Sequence, residues 1–534
     1  MKNALLTILI ALYSWNINAQ QIVKDIKSGL ASSNPSYLTN VNGNLFFSAT
    51  DASSGTELWK SDGTTSGTLM VKDIRSGLTS SNPYNFTVID STLFFTADDG
   101  INGIELWKSD GTVAGTVMLK DIYPGSSSSS PLYLTNVNGI LFFNATDGIN
   151  GIELWKSDGT ILGTQRVEDI FLGSSSSNPS TLTNCNGILY FGANSSTIGV
   201  ELWKSDGTAT GTVLVKEIYP GFFGSYPGSF IDILGVIYFG AKDGINGSEL
   251  WKTDGTAIGI VIVKDINPGT NGSFPGSFFN FNDTLYFMPS WNLDELWKSD
   301  GTATGTVVVN NISLVSMPNY YTIVNGTLFF TAEDGGALVG NELWKTDGTA
   351  AGTGTVKDIN PGLSNAMPKY LTNINDTLFF SANDGINGDE LWKSDGTNSG
   401  TSLIQDIYPG PAGSNPKYLT NINGVLYFSA MDTINGTELW KYPSNATNIN
   451  EFNTQKLTFS IEPNPFNLLT TISFHQEQKN ITINLIDILG KKIKTLNFTG
   501  KQLTLEKEEM KSGIYFVQVI DENKNVINKK IVIQ

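Results

Sequence analysis

The chain has 534 residues, 55 of them glycine, and charged side chains make up only 16 %. Its net charge of −17 excludes the cationic surface that a nucleic-acid binder needs to meet phosphates. One cysteine and one histidine exclude a disulfide framework, a cysteine zinc cluster and a histidine-rich metal site.

Lys2 precedes an apolar run of ten at residues 4–13 (ALLTILIALY), and the small Ala19 stands before Gln20. The run is shorter than the ~20 residues that span a bilayer. Residues 1–19 therefore read as a removed signal peptide. No later stretch is long and apolar enough for a transmembrane segment, so the mature protein is expected to be extracellular or on the outer cell surface.

From residue 20 to 442 one unit repeats nine times. Glu-Leu-Trp recurs at Trp59, Trp107, Trp155, Trp203, Trp251, Trp297, Trp344, Trp392 and Trp440, at spacings of 46 to 48 residues. A second marker, VKDI or a variant, recurs from Ile26 to Ile407. A period of 40 to 50 residues signals a propeller or a solenoid. Each unit reads as four strands. In residues 131–170, PLYLTNV is followed by Asn138-Gly139 and then by ILFFNAT. Asn-Gly between two β-rich runs predicts a hairpin, because both central residues need positive φ. A DGING turn leads to IELWKS, and Asp158-Gly159 opens a GTxxGT stretch before QRVEDI. The links between units are rich in Gly, Ser and Pro.

The ends of the array predict how it closes. It opens with a lone strand ending at Ile26, and its last unit stops at Lys441 with no DGT and no VKDI. A ring explains both, with the N-terminal strand completing the ninth unit and leaving only protected edges. The fold class expected is all-β: a large propeller of nine four-stranded units, then a small domain. An open or split arrangement stays the alternative, because propellers usually have four to eight blades.

The segments ELWKSDGTVAGT (105–116), ELWKSDGTILGT (153–164) and ELWKTDGTAAGT (342–353) resemble the bacterial ELWxxDGT repeat family. The resemblance implies a secreted or surface protein and brings no assigned activity. After an Asn-rich linker (443–455), residues 456–534 change composition. They carry Pro463-Asn464-Pro465, then ILGKKI with Gly490, then Gly513-Ile514-Tyr515, and a closing KKIVIQ. This order resembles the type A C-terminal sorting domain of the type IX (Por) secretion system of Bacteroidetes. It implies an Ig-like β-sandwich that hands the passenger to the type IX machinery for transfer across the outer membrane.

Candidate chemistry is sparse. Cys185 occupies a slot held by Val41, Val137, Ile374 and Ile422 elsewhere, so it reads as a strand filler. The histidine, His475, lies in the C-terminal segment, which leaves the array without a base for a nucleophile. The D-G-T aspartates (Asp62, Asp110, Asp158 and their equivalents) read as turn formers. An Asp-box sialidase would need an arginine cluster, and only Arg75 and Arg166 are present. The Glu and Lys of each ELWK repeat in equivalent positions, unlike the asymmetric carboxylate pair of a glycosidase. They read as structural ion pairs or hydrogen bonds between units.

The D-G-x-N-G turns pair Asp99 with Asn102, Asp147 with Asn150, Asp243 with Asn246 and Asp384 with Asn387. Their hard oxygens suit Ca²⁺, although a hairpin turn explains the same residues without a metal. Connectivity places these turns and the inter-unit loops on one face, where loops on a rigid scaffold carry binding. Tyr226 and Trp291 on that face could stack on sugar rings or pack between units. The leading expectation is a non-catalytic binding or adhesion propeller for glycan or a surface protein, with no cofactor beyond a candidate calcium. The alternatives are an enzyme acting on extracellular polysaccharide and a structural matrix component.

Overall fold

The computed structural model describes residues 20–290, 295–309, 319–333, 339–443, 459–487, 491–507, 510–520 and 526–533. The expected signal peptide 1–19, Trp291, Gly490 and most of the 443–455 linker lie outside the described residues. The chain divides into two compact units, Met1–Asn445 and Ala446–Gln534.

Among its described residues the first unit is all-β, and its strands form nine four-stranded antiparallel sheets, an arrangement compatible with a propeller. The third sheet shows how the sequence builds one. Leu132–Val137, Ile140–Thr146, Ile152–Ser157 and Gln165–Glu168 pair in chain order. Asn138 and Gly139 take φ of 52° and 85°, and the Gly139 N–H donates to Asn136 Oδ1 at 2.9 Å. That is the hairpin the dipeptide predicts. The second strand, ILFFNAT, is buried at five consecutive positions. Such a run needs an apolar partner on each face, and neighbouring sheets supply it. Val137, Phe142, Leu154 and Val167 of the third sheet pack on Leu189, Phe191 and Ala193 of the fourth. Each fully buried Phe or Leu stabilises the sheet stack by roughly 1.5–3 kcal/mol.

The ends meet as the spare strand predicts. Gln21–Lys24 pairs antiparallel with Gly436–Pro443, matching Gln21 to Lys441 and Ile22 to Trp440. The first strands of neighbouring sheets lie side by side, joined by threonine hydroxyls. Thr87 donates to the Leu134 carbonyl, Thr135 to Leu182 and Thr372 to Leu419. The same bond runs from Thr420 in the ninth sheet to Leu38 in the first, at 3.2 Å.

In the C-terminal unit, Phe459–Glu462, Leu469–Asp487, Lys492–Glu506, Gly513–Ile520 and Val526–Ile533 form one five-stranded sheet. Two separate sheets of an Ig-like sandwich are not what the backbone forms here. The 19-residue strand Leu469–Asp487 serves two neighbourhoods. Its first half pairs with Phe459–Glu462 and its second half with Gly513–Ile520, while Lys492–Glu506 runs along both. A parallel bridge from Phe466 to Ile533 brings the sheet nearly to closure around Phe474, Ile483, Val517, Val519 and Ile531.

Candidate functional site

The most regular polar feature is a clasp at one corner of eight of the nine sheets. Glu153 is fully buried. Its carboxylate accepts from the Ile170 N–H at 3.0 Å, the Ser177 N–H at 2.8 Å and the Ser177 hydroxyl at 2.6 Å. It therefore ties the third strand to the end of the fourth and to the next inter-unit loop. Glu57, Glu105, Glu201, Glu249, Glu390 and Glu438 do the same with Ser81, Ser129, Ser225, Ser273, Ser414 and Ser33. Glu342 meets Ala366 and has only the backbone donors. Burial pushes these acids up, to about 7 for Glu57, Glu105, Glu153, Glu342 and Glu438, although the donors act against it.

The lysine after each ELW does not pair with that glutamate. In eight of the nine sheets it crosses to the next sheet and donates to a glycine carbonyl of the D-G-T turn, as Lys60 does to Gly111 at 2.8 Å and Lys441 to Gly63 at 2.9 Å. The expected inter-unit hydrogen bond is present, and the expected ion pair is not. The D-G-T aspartates serve their own turns. Asp110 Oδ1 accepts the Thr112 N–H and hydroxyl, which hold its carboxyl below the usual range.

The D-G-x-N-G turns are likewise self-contained. Asp99 Oδ1 accepts the Ile101 and Asn102 N–H groups, and Oδ2 accepts the Asn102 amide at 2.7 Å. Burial opposes ionisation there, and the three donors outweigh it, holding the carboxyl low. Asp147 with Asn150, Asp243 with Asn246 and Asp384 with Asn387 repeat the arrangement. Among the described residues, no three His, Cys, Asp or Glu side chains group as a metal site. Cys185 is buried, and burial followed by the nearby Asp232 pushes its thiol up to about 12, which suits a filler. Tyr226 is exposed, and the Lys242 ammonium sits 4.7 Å from its ring centre, covering one face.

A feature that motif reading did not reveal lies on the first strands. Each carries a bulge whose second residue has positive φ: Tyr37, Asn85, Tyr133, Thr181, Ser229, Ser277, Tyr320, Tyr370 and Tyr418. A non-glycine residue there is strained, and the register shift beside it marks an extra residue in the strand. The side chain is tyrosine in the third sheet and in four consecutive ones, the seventh, eighth, ninth and first. Tyr320 and Tyr370 lie 5.4 Å apart by ring centre, Tyr370 and Tyr418 6.1 Å, and Tyr418 and Tyr37 6.1 Å. Burial raises the Tyr370 hydroxyl, helped by its neighbours Tyr320 and Tyr418. Beside this arc, a cavity of about 420 Å³ opens between the ninth and first sheets, lined by Asn34, Ser36, Asn415, Lys417, Tyr418 and Met431. In the sequence this position precedes a recurring Leu, Phe or Tyr and itself changes between Tyr, Asn, Thr and Ser, which does not announce the bulge.

In the C-terminal unit the expected motif residues hold the domain's opening to its last strand. Asn464 Oδ1 accepts the Val532 N–H at 2.8 Å, and the Pro463 carbonyl accepts the Thr470 hydroxyl at 2.7 Å. The peptide between Asn464 and Pro465 is cis. Gly513 opens the strand Gly513–Ile520, and the Tyr515 hydroxyl donates to the Lys511 carbonyl.

Comparison with known proteins adds three findings. An endo-acting ulvan lyase of Formosa agariphila is 33 % identical over 73 residues, 14 % of this chain and 14 % of the lyase. The match thus spans about a seventh of that relative's length. PorZ of Porphyromonas gingivalis, described as an essential bacterial surface component of the type IX secretion system, aligns with 96 % of this chain and 82 % of its own. Identity to it is 12 % and the TM-score 0.26. The extracellular domain of the hybrid two-component system BT4673 from B. thetaiotaomicron aligns with 96 % of this chain and 69 % of its own, at 11 % identity and a TM-score of 0.34. No helix among the described residues is long and apolar enough to cross a membrane. Residues 460–534 match the family model for the secretion system C-terminal sorting domain, which marks the chain as a secreted or cell-surface protein handled by the type IX machinery.

Proposed function

We propose that the nine sheets close into one propeller ring and that this ring is a non-catalytic binding module for glycan on the cell surface or outside the cell. The observation that carries the reading is the arc of Tyr320, Tyr370, Tyr418 and Tyr37. Four half-exposed rings held at fixed spacing by a strained backbone offer apolar faces and hydroxyls together. That combination suits a pyranose, which presents C–H groups on its faces and hydroxyls around its edge. Asn34, Ser36, Asn415 and Lys417 in the adjoining cavity supply polar partners. The repeated carboxylates support a binding role over hydrolysis. The clasp glutamates are engaged by loop donors, and the turn aspartates by their own turns.

A glycan array probed with the secreted chain, with and without calcium, tests this reading. Retention of at least one glycan class is expected in both conditions, because the arc uses no metal. The absence of binding to every glycan removes the reading. Shortened products from a retained polysaccharide would replace it with an enzyme.

A further inference from the structure

In the four sheets of the tyrosine arc, the residue just before each tyrosine has a counterpart near the start of the third strand. The pairs are Asn319 with Asn341, Lys369 with Asp389, Lys417 with Thr437 and Ser36 with Thr56. Two of the four thus carry a lysine, and the two lysines differ in what answers their charge. Lys369 Nζ lies 3.7 Å from Asp389 Oδ2. In the ninth sheet the same two places hold Lys417 and Thr437, so the lysine is kept and the acid is replaced by a neutral hydroxyl.

Lys417 opens on the cavity of about 420 Å³ between the ninth and first sheets, which it shares with Tyr418, Asn34, Asn415, Met431 and Thr437 among others. Among the described residues no carboxylate lines this cavity, and Lys417 has no hydrogen-bond or ion-pair partner. The array's two ends are elsewhere. Gln21 pairs with Lys441, about 13 Å along the strand from Thr437 at the usual rise. The rings of Tyr418 and Tyr37 stand beside the cavity with their centres 6.1 Å apart, both partly exposed.

An ammonium without a counter-ion beside open aromatic faces favours an anion carried on an apolar-faced ring. The chain's net charge of −17 opposes an anion at long range. Salt screens that field beyond about 8 Å at physiological ionic strength, so the group in contact decides. A small free anion uses the ammonium alone, whereas a charged pyranose uses the ammonium and the rings together.

Given the glycan reading of the arc, on which this rests, we propose that the arc selects an acidic sugar. Its carboxylate or sulfate accepts from the Lys417 ammonium while the pyranose lies on Tyr418 and Tyr37. Lys369 does not share the role, because Asp389 already answers its charge.

The test titrates the full chain by calorimetry with oligomers of galacturonic, glucuronic and mannuronic acid and with their neutral methyl esters. A 6-sulfated galactan oligomer, its unsulfated counterpart and tetraglutamate run in parallel. At least one acidic sugar binds, at least tenfold more tightly than its uncharged counterpart, and it weakens as salt is raised. Binding confined to the uronates or to the sulfated oligomer tells which anion the lysine takes. Tetraglutamate, which has carboxylates and no ring, binds at least tenfold more weakly than that sugar. Lys417→Met abolishes the preference for the charged sugar with an unchanged melting temperature, since Lys417 has no native partner to lose. Thr437→Asp, which supplies the counter-ion that Lys369 has, also abolishes it, at a place where the eighth sheet already carries Asp. Equal affinity for charged and uncharged sugars, a preference that survives Lys417→Met, or tetraglutamate bound as tightly as the sugar would overturn the assignment. Binding of uncharged sugars alone overturns it and leaves the glycan reading standing, whereas no binding of any sugar removes both.

Discussion

Among the described residues the clasp corner recurs in eight units and the first-strand bulge in all nine, and they differ in what varies. At the clasp the residue is always Glu, it is buried in all but the sixth sheet, and its oxygens point at donors of its own sheet and the next loop. At the bulge the backbone is constant, with φ between 51° and 58°, and the side chain changes from Tyr to Asn, Thr or Ser. A group that repeats with its partners holds the fold. A side chain that varies on a fixed, exposed backbone is free to recognise something. Glu295 is half-buried and has no partner among the described residues, and the strands beside it shrink to Trp297–Ser299 and Val307–Val308.

Variants order themselves along this contrast. Glu153→Ala removes a buried carboxylate and strands the Ile170 and Ser177 N–H groups. It should cost about 3 kcal/mol or more, read as a fall in melting temperature by calorimetry. A loss below about 1 kcal/mol would reduce the clasp to decoration.

The next effect is on pH. The clasp acids are raised by burial, to about 7 in five sheets. The folded state therefore holds protons that the unfolded chain releases above about 4.5, and stability falls as pH rises from there to about 7. The turn aspartates, Asp110 and Asp99 among them, are lowered, so their contribution is lost as pH falls below about 4. A melting temperature that peaks near pH 5 and declines towards both sides is expected. A flat profile between pH 5 and 8 would contradict the burial argument.

Ala366→Ser restores the missing hydroxyl at Glu342 and should stabilise by about 0.5–1.5 kcal/mol.

Much of the array was legible because its signals are local. Asn138-Gly139 fixes a hairpin through its own dihedral angles, and the lone strand at residues 21–24 finds the unit that lacks a fourth. The glutamate's role was legible only as repetition, since its donors, Ile170 and Ser177, lie 17 and 24 residues away. The tyrosine arc was not legible. Tyrosine disfavours positive φ, so nothing local announces that Tyr370 and Tyr418 sit on bulges, and their contact joins residues from different sheets. The C-terminal motif was legible from order alone. That its long strand Leu469–Asp487 serves two neighbourhoods of one sheet depends on pairings far apart in the chain.

The measurement that bears most directly on the central claim takes the double variant Tyr370→Ala/Tyr418→Ala and reads glycan affinity and unfolding side by side. Removing two neighbouring rings of the arc should lower affinity for the retained glycan at least tenfold, equivalent to about 1.4 kcal/mol. The melting temperature should stay close to that of the unaltered chain, because both rings are partly exposed and lie outside the clasp. Unchanged affinity, or a loss of affinity no greater than the loss of folded protein explains, would contradict the claim that the array recognises its ligand through the arc.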